Sequence, residues 1–216
     1  MKDEDLALST RRAPAWKDAV LSRDEQFGLK RIALVKEAAR AFSLRGYHDT
    51  TLEDVAKALG VTKGALYYYV MSKQEILFEC HVISNDLGDQ AIAYATALEG
   101  SGCDKAVALA RRYMELLVGE AGMLAVLTEF DALEPQNRKI IAARRAIFDR
   151  TFREFMAQGV SDGSIRPGVD PKITAFFYLG AVNWATRWFD PAGDISGSEV
   201  SDRFADLFDA AIRLRS

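Results

Sequence analysis

Apolar residues along this chain return at intervals of three and four, and strict apolar–polar alternation is almost absent. A helix turns once every 3.6 residues, so that interval gathers side chains on one helical face, whereas a half-buried strand needs a period of two. Ile32, Val35, Ala39 and Phe42 form one stripe; Ile76, Cys80, Ile83 and Leu87 form another; Ile141, Phe148, Phe152 and Phe155 form a third. All five prolines (Pro14, Pro135, Pro167, Pro171, Pro191) fall between periodic segments, where no helical hydrogen bond is lost to them. The spacing predicts an all-α chain with helices near 28–45, 52–59, 63–69, 73–98, 103–119, 122–131, 135–158, 171–189 and 198–214.

Capping chemistry marks the helix starts. Thr51 precedes Asp54, Ser72 precedes Glu75, Ser101 precedes Asp104 and Ser196 precedes Glu199; in each pair a hydroxyl and a carboxylate at this spacing can satisfy backbone N–H groups reciprocally. Asp170-Pro171 and, more weakly, Glu134-Pro135 place an acid before a proline at the first helical position. Residues 1–27 are polar and weakly periodic and read as a mobile arm, with at most one turn around Trp16.

The acidic start MKDEDLALS and the lack of a long apolar run predict a soluble cytoplasmic protein with no membrane segment. Cys80 and Cys103 lack CxxC spacing and read as buried thiols in a reducing compartment. Catalysis and cofactors find little support. The two histidines, His48 and His81, have no metal-ligand spacing, and the Walker and GxGxxG patterns are absent, so no cofactor and no metal are expected. The net charge of -3 is unevenly spread: residues 28–74 hold eight Lys/Arg against four Asp/Glu, leaving the rest at -7. A basic segment on an acidic body suggests an anionic partner bound at one end.

Within that segment, TLEDVAKALGVTKGALYYY (51–69) describes two short helices around a tight turn. Val55, Ala56 and Leu59 are expected to face inward, Gly60 to turn with positive φ, Val61 to plug the corner, Thr62 to cap the second helix and Leu66 to return to the core. This is the pattern of a helix-turn-helix, whose second helix enters the DNA major groove. Thr62 is followed by Lys63, Gly64 and Ala65, with no acid in the first turn; bare amides and a lysine there suit a phosphate. Tyr67, Tyr68 and Tyr69 are consecutive and span about 200° of helix surface, so at least one must face outward.

The longer string closely resembles the DNA-binding domain of TetR-family transcriptional regulators, from AARAF through RGY, LEDVAKALGV and TKGALYYYV to SKQEIL, within residues 32–78. The resemblance implies phosphate contacts from Thr51, Thr62, Tyr67, Tyr69 and Lys73, and base reading by Lys63, Gly64 and Tyr68. Ala65, Val70 and Met71 depart from the commoner Thr or Ser, Phe and Pro, so an operator sequence is not carried over with the family. Arg11 and Arg12 in the arm fit either a minor-groove contact or a solubilising tail.

So short a reading helix implies a homodimer on a palindromic double-stranded operator. Candidate pairing residues are Phe176, Gly180 and Ala181 on one helix and Val200, Phe204, Leu207, Phe208 and Ala211 on the last. Tyr113, Phe130, Phe148, Phe152, Tyr178 and Trp184, with the amide of Asn183 inside an apolar run, are candidate ligand-binding residues. Arg144, Arg145, Arg150 and Arg153 suit either an anionic head group or, better, a solvated face paired with Asp149 and Glu154. Residues 180–208 resemble the end of TetR-type repressors of fatty-acid, steroid and aromatic-acid degradation, which implies a small apolar or acyl-CoA thioester effector.

The expected organisation is an arm (1–27), a helix-turn-helix domain (28–72) and an effector-binding and dimerisation domain (73–216). The expected function is a ligand-responsive DNA-binding repressor and not an enzyme. A DNA-binding regulator without a small-molecule effector, and a helical acyl-CoA-binding protein, are the alternatives.

Overall fold

The computed structural model describes residues 21–119 and 129–214. These form eight α-helices: α1 (Arg23–Arg45), α2 (Leu52–Ala58), α3 (Lys63–Tyr67), α4 (Lys73–Ala97), α5 (Gly102–Gly119), α6 (Pro135–Asp162), α7 (Pro171–Trp188) and α8 (Gly197–Ile212). Among the described residues the one extended pairing is an antiparallel bridge between Ile165 and Arg213.

The caps act where the sequence puts them. Thr51 and Asp54 exchange backbone hydrogen bonds, as do Ser101 and Asp104. Ser72 and Ser196 accept from the amides of Glu75 and Glu199, and Asp170 accepts from those of Lys172 and Ile173. Glu134 makes no side-chain cap, and Pro135 alone marks the start of α6.

Three expectations change. α1 starts five residues early, because Ser22 and Glu25 form a reciprocal capping box of their own. The segment 23–27, assigned above to the arm, is therefore helical; the rest of that arm up to residue 20, with Arg11, Arg12 and Trp16, lies outside the described residues. Most of the helix expected at 122–131 also lies outside them, and residues 129–132 form a 3₁₀ turn. Ile32 and Val61 face solvent, while Leu34 and Ala38 take inward places beside Val35, Ala39 and Phe42.

Two apolar clusters share α4. One joins Val35, Ala39, Phe42, Val55, Ala56, Leu66 and Val70 to Ile76, Leu77 and Cys80, and also takes in Leu133 and Ile141 from the start of α6 and the turn before it. The other joins Leu87, Ala91 and Ala95 to Met114 and Leu117 of α5, Phe152 and Met156 of α6, Tyr178 and Val182 of α7, and Val200, Phe208 and Ile212 of α8. At 25 residues α4 is about 37 Å long, so one rigid element runs through both.

At the far corner of the second cluster two backbones touch. A Cβ on Gly102 would lie 2.1 Å from the Gly159 nitrogen and 2.5 Å from the Phe155 carbonyl oxygen, which explains glycine at this crossing of α5 and α6. Asp162 accepts from the Gly102 amide (2.8 Å), Ser164 from that of Cys103 (3.1 Å), and Arg213 pairs with Asp104 (2.9 Å) and Asp209 (2.7 Å).

Candidate functional site

The turn between α2 and α3 is built by local chemistry. Gly60 has φ +66°, a left-handed conformation that a Cβ would disfavour, and the Val61 amide donates back to the Ala56 carbonyl at 3.0 Å. The Thr62 hydroxyl accepts from the Ala65 amide at 3.2 Å, and α3 has no acid in its first turn. An acid nonetheless arrives from α2: Glu53 pairs with Lys63, and that hydrogen bond raises the lysine's pKa and lowers the carboxylate's. Lys63 is thus held in place by α2, and an incoming phosphate or base must compete with Glu53 for it.

Leu66 is the inward residue of α3, which leaves the tyrosines outside. Tyr67 and Tyr68 are exposed, Tyr68 by 72%, and Tyr69 is half-buried. Phe27, which the early start of α1 brings within reach, stacks on Tyr69 (centroids 5.0 Å apart, 29°) and meets Tyr68 edge-on (5.5 Å, 81°). Arg31 donates to the Tyr69 carbonyl and pairs with Glu75 at 2.9 Å and Glu79 at 3.1 Å, tying α1 and the end of α3 to α4. Thr51, Thr62, Lys63 and Gly64 are exposed, and a Cβ on Gly64 would meet nothing nearer than Thr62 Oγ1 at 4.0 Å, so this backbone is open to close approach. Lys73 is half-buried: its Nζ lies 4.2 Å from the Tyr47 ring centroid and donates to the His48 carbonyl at 3.2 Å, and burial lowers its pKa.

A cavity of about 310 Å³ lies in the body, lined by Ser84, Asn85, Gly88 and Asp89 of α4, Tyr113 of α5, Arg144, Arg145, Ala146, Phe148 and Asp149 of α6, and Phe176, Leu179 and Asn183 of α7. Of the expected ligand residues, Tyr113, Phe148 and Asn183 line it. The others are elsewhere. Phe152 and Tyr178 are core, the tyrosine hydroxyl donating to the Ala110 carbonyl at 2.8 Å; Phe130 lies under Arg145; and Trp184 is 67% exposed. Burial pushes the Tyr113 phenol up to about 12, so it stays a neutral hydrogen-bonding group.

The cavity is more polar than the aromatic pattern suggests. Asn85 and Asp149 line it, and Asn85 Nδ2 and Asp149 Oδ1 are buried without a hydrogen-bond partner, although Asp149 also pairs with Arg153. Arg144 pairs with Asp86 at 2.7 Å and with Asp89. Arg145 turns inward: its Nη2 lies 3.1 Å from His81 Nδ1 and its guanidinium 4.6 Å from the Phe130 ring. The solvated arginine face expected around Asp149 and Glu154 therefore holds for Arg153 and not for Arg144 or Arg145. Asn85 was legible by the reasoning that singled out Asn183, as an amide beside the apolar stripe of α4; Arg145 and Asp149 gave no such signal.

The expected pairing faces divide. Phe176, Gly180, Leu207 and Ala211 are exposed, Leu207 by 71%, and Ala181 and Phe204 are half-buried. Val200 and Phe208 are 2% exposed and belong to the protomer's own core, so they leave the candidate surface. Phe177 and Trp184, which the sequence reading did not place there, are exposed on α7. Among the described residues, no group of three His, Cys, Asp or Glu could hold a metal ion, and no helix is long and apolar enough to cross a membrane.

Residues 34–80 match the family described as bacterial regulatory proteins, tetR family, and residues 99–212 match the tetracyclin repressor-like C-terminal domain. The HTH-type transcriptional repressor KstR2 of Mycolicibacterium smegmatis is 27% identical over 187 residues, covering 81% of this chain and 86% of the relative. Among solved structures, the TetR family transcriptional regulator PfmR from Thermus thermophilus aligns with a TM-score of 0.73 at 27% identity, over 85% of this chain and 99% of that one. AibR in complex with isovaleryl coenzyme A and operator DNA aligns with a TM-score of 0.69 at 28% identity, over 82% and 97%. The helix-turn-helix and all-helical fold read from the sequence agree with these matches.

Proposed function

Because the chain belongs to the tetR family of bacterial regulatory proteins, we propose that this DNA-binding repressor works as a homodimer and leaves its operator when a small acyl-CoA-type effector fills the body cavity. One observation carries the gating step. The cavity wall includes Ser84, Asn85, Gly88 and Asp89, and these lie on the same helix whose first residue, Lys73, sits beside the reading unit. A ligand that displaces that wall turns α4, and α4 carries α1–α3 with it through their shared apolar cluster.

Thr51, Thr62, Tyr67, Tyr69 and Lys73 position the protein on phosphates, while Lys63, Gly64 and Tyr68 read base edges. Two such units on a two-fold operator must present their α3 helices about one DNA turn, ~34 Å, apart. The exposed apolar residues of α7 and α8, Phe176, Phe177, Trp184 and Leu207, support pairing through those helices. Moving the dimer from 99% competent to 1% requires an effector preference of about 5.5 kcal/mol for the incompetent state. The acyl-CoA class is supported by the likeness to AibR, solved with isovaleryl coenzyme A, and by a cavity whose size suits an acyl group and part of its linker rather than a whole thioester.

Fluorescence anisotropy on a duplex selected by the protein from a random pool tests this, with and without a panel of acyl-CoA thioesters. Operator affinity is expected to fall steeply with salt as counterions are released, and further when the matching thioester is added. A thioester that binds tightly without weakening the operator complex would refute the gating step.

A further inference from the structure

Arg145 is the residue that the cavity and the reading end have in common. It lines the cavity beside Tyr113. Its other side faces away from the cavity, bonding His81 of α4 at 3.1 Å and covering the Phe130 ring at 4.6 Å. Phe130 belongs to the 3₁₀ turn at 129–132, and Gln74 bonds that turn to the DNA end of α4. Gln74, next to Lys73, donates to the Ala132 carbonyl at 2.7 Å and accepts from the Glu134 amide at 3.2 Å. Arg138 fastens the same turn to α6 through the carbonyls of Asp131 (2.7 Å) and Leu133 (2.8 Å). A contiguous path therefore runs from cavity wall to Arg145, to Phe130 and its turn, to Gln74.

We propose that Arg145 reads a carbonyl or carboxylate oxygen of the effector and that its movement towards that oxygen is what releases the reading end. The inference rests on the effector-gated reading above and adds to it both the ligand group recognised and the route of the signal. His81 is buried and its pKa is lowered to about 3, by burial first and by the Arg145 cation second, so at neutral pH it is an uncharged acceptor. The bond to His81 carries charge on the arginine alone, whereas a carboxylate, or a carbonyl polarised by the cation, adds charge–charge attraction to the same charge-assisted donor. Such an oxygen in the cavity competes for the guanidinium with its present partners, the imidazole nitrogen and the ring face among them. Once Arg145 swings to the ligand, Phe130 loses its cover, His81 loses its donor, and the turn held by Gln74 no longer braces the first turn of α4.

The test uses the full chain and the selected operator duplex. Arg145→Met removes the guanidinium and keeps an unbranched chain. Without any ligand its operator affinity is expected to fall about tenfold, with affinity for random duplex unchanged. Should that variant not fold, Phe130→Leu removes the ring under the guanidinium and is expected to give the same loss. Gln74→Ala is expected to bind isovaleryl-CoA in calorimetry as the wild type does, with the ligand's effect on operator affinity reduced about tenfold. Wild-type operator affinity in the Arg145 or Phe130 variant, or a full isovaleryl-CoA response in Gln74→Ala, overturns the relay. If neither isovaleryl-CoA nor its longer homologues bind the wild-type protein, the proposed effector class falls, while the ligand-free arm still decides the relay.

Discussion

The two halves of α4 serve environments that are opposite in design. At its start, short helices held by their own caps surround an apolar cluster, and the groups that can bond a partner stand outside, Tyr68 foremost. Towards its end, long helices surround a cavity walled in part by the polar residues Asn85 and Asp149. A surface that reads a polymer needs side chains fixed in position yet open to solvent, whereas a site for a small molecule needs concavity. Fixing exposed groups takes buttressing from below, which Phe27 and Arg31 supply.

The contrast breaks most sharply at the glycine crossing. Gly102→Ala drives a methyl group into the backbone of α6 and is expected to destabilise the protein by about 3 kcal/mol. In urea unfolding the body should lose structure while α2 and α3, which share no contact with that corner, are affected only through α4. Next is acid. His81 has its pKa lowered from 6.5 to about 3 in the folded protein. Between those values the unfolded state binds the extra proton, so this residue's contribution to stability is complete above pH 6.5 and is lost as pH falls. Between pH 6.5 and 5 the loss is roughly 2 kcal/mol, and His81→Gln should flatten the wild-type stability curve over that interval.

The reading end is the more legible of the two because its structure is set by neighbours in sequence. Thr51 with Asp54, Gly60 with its positive φ, and Thr62 without an acid can each be read from a few residues. The same rule applied to Ser22 and Glu25 would have placed the start of α1 correctly, and with it Phe27. The cavity is different. Phe152, Tyr178 and Phe148 share one aromatic pattern, and only packing between helices decides that Phe148 reaches the cavity while Phe152 fills the core. Arg144 and Arg145 are adjacent on α6 yet point to Asp86 and to His81 respectively, a choice made by α4 rather than by their own helix. Val200 and Phe208 read as surface in the sequence because a continuous apolar stripe does not say which side faces its own protomer.

Two smaller effects sharpen the comparison. Phe27→Ala removes the stack under Tyr69 and the edge contact to Tyr68. It is expected to cut the preference for operator over random duplex about tenfold, or ~1.4 kcal/mol, with Phe27→Tyr restoring most of it. Equal losses on both duplexes would mean that Phe27 supports the fold alone. Thr51→Ala deletes one cap and is expected to cost about 1 kcal/mol. Hydrogen exchange should report that cost first in the amides of α2, with the body unchanged.

The touching backbones of Gly102 and Gly159 bear on how force travels through the molecule. Where two helices meet without side chains between them there is nothing compliant to yield, and the bonds from Asp162, Ser164 and Arg213 secure the same corner. That corner is a fulcrum. Under the proposed gating, α5 and α6 hold their spacing at this corner, and any displacement forced by a ligand must be taken up elsewhere along the body, by α4 and the helices that pack on it.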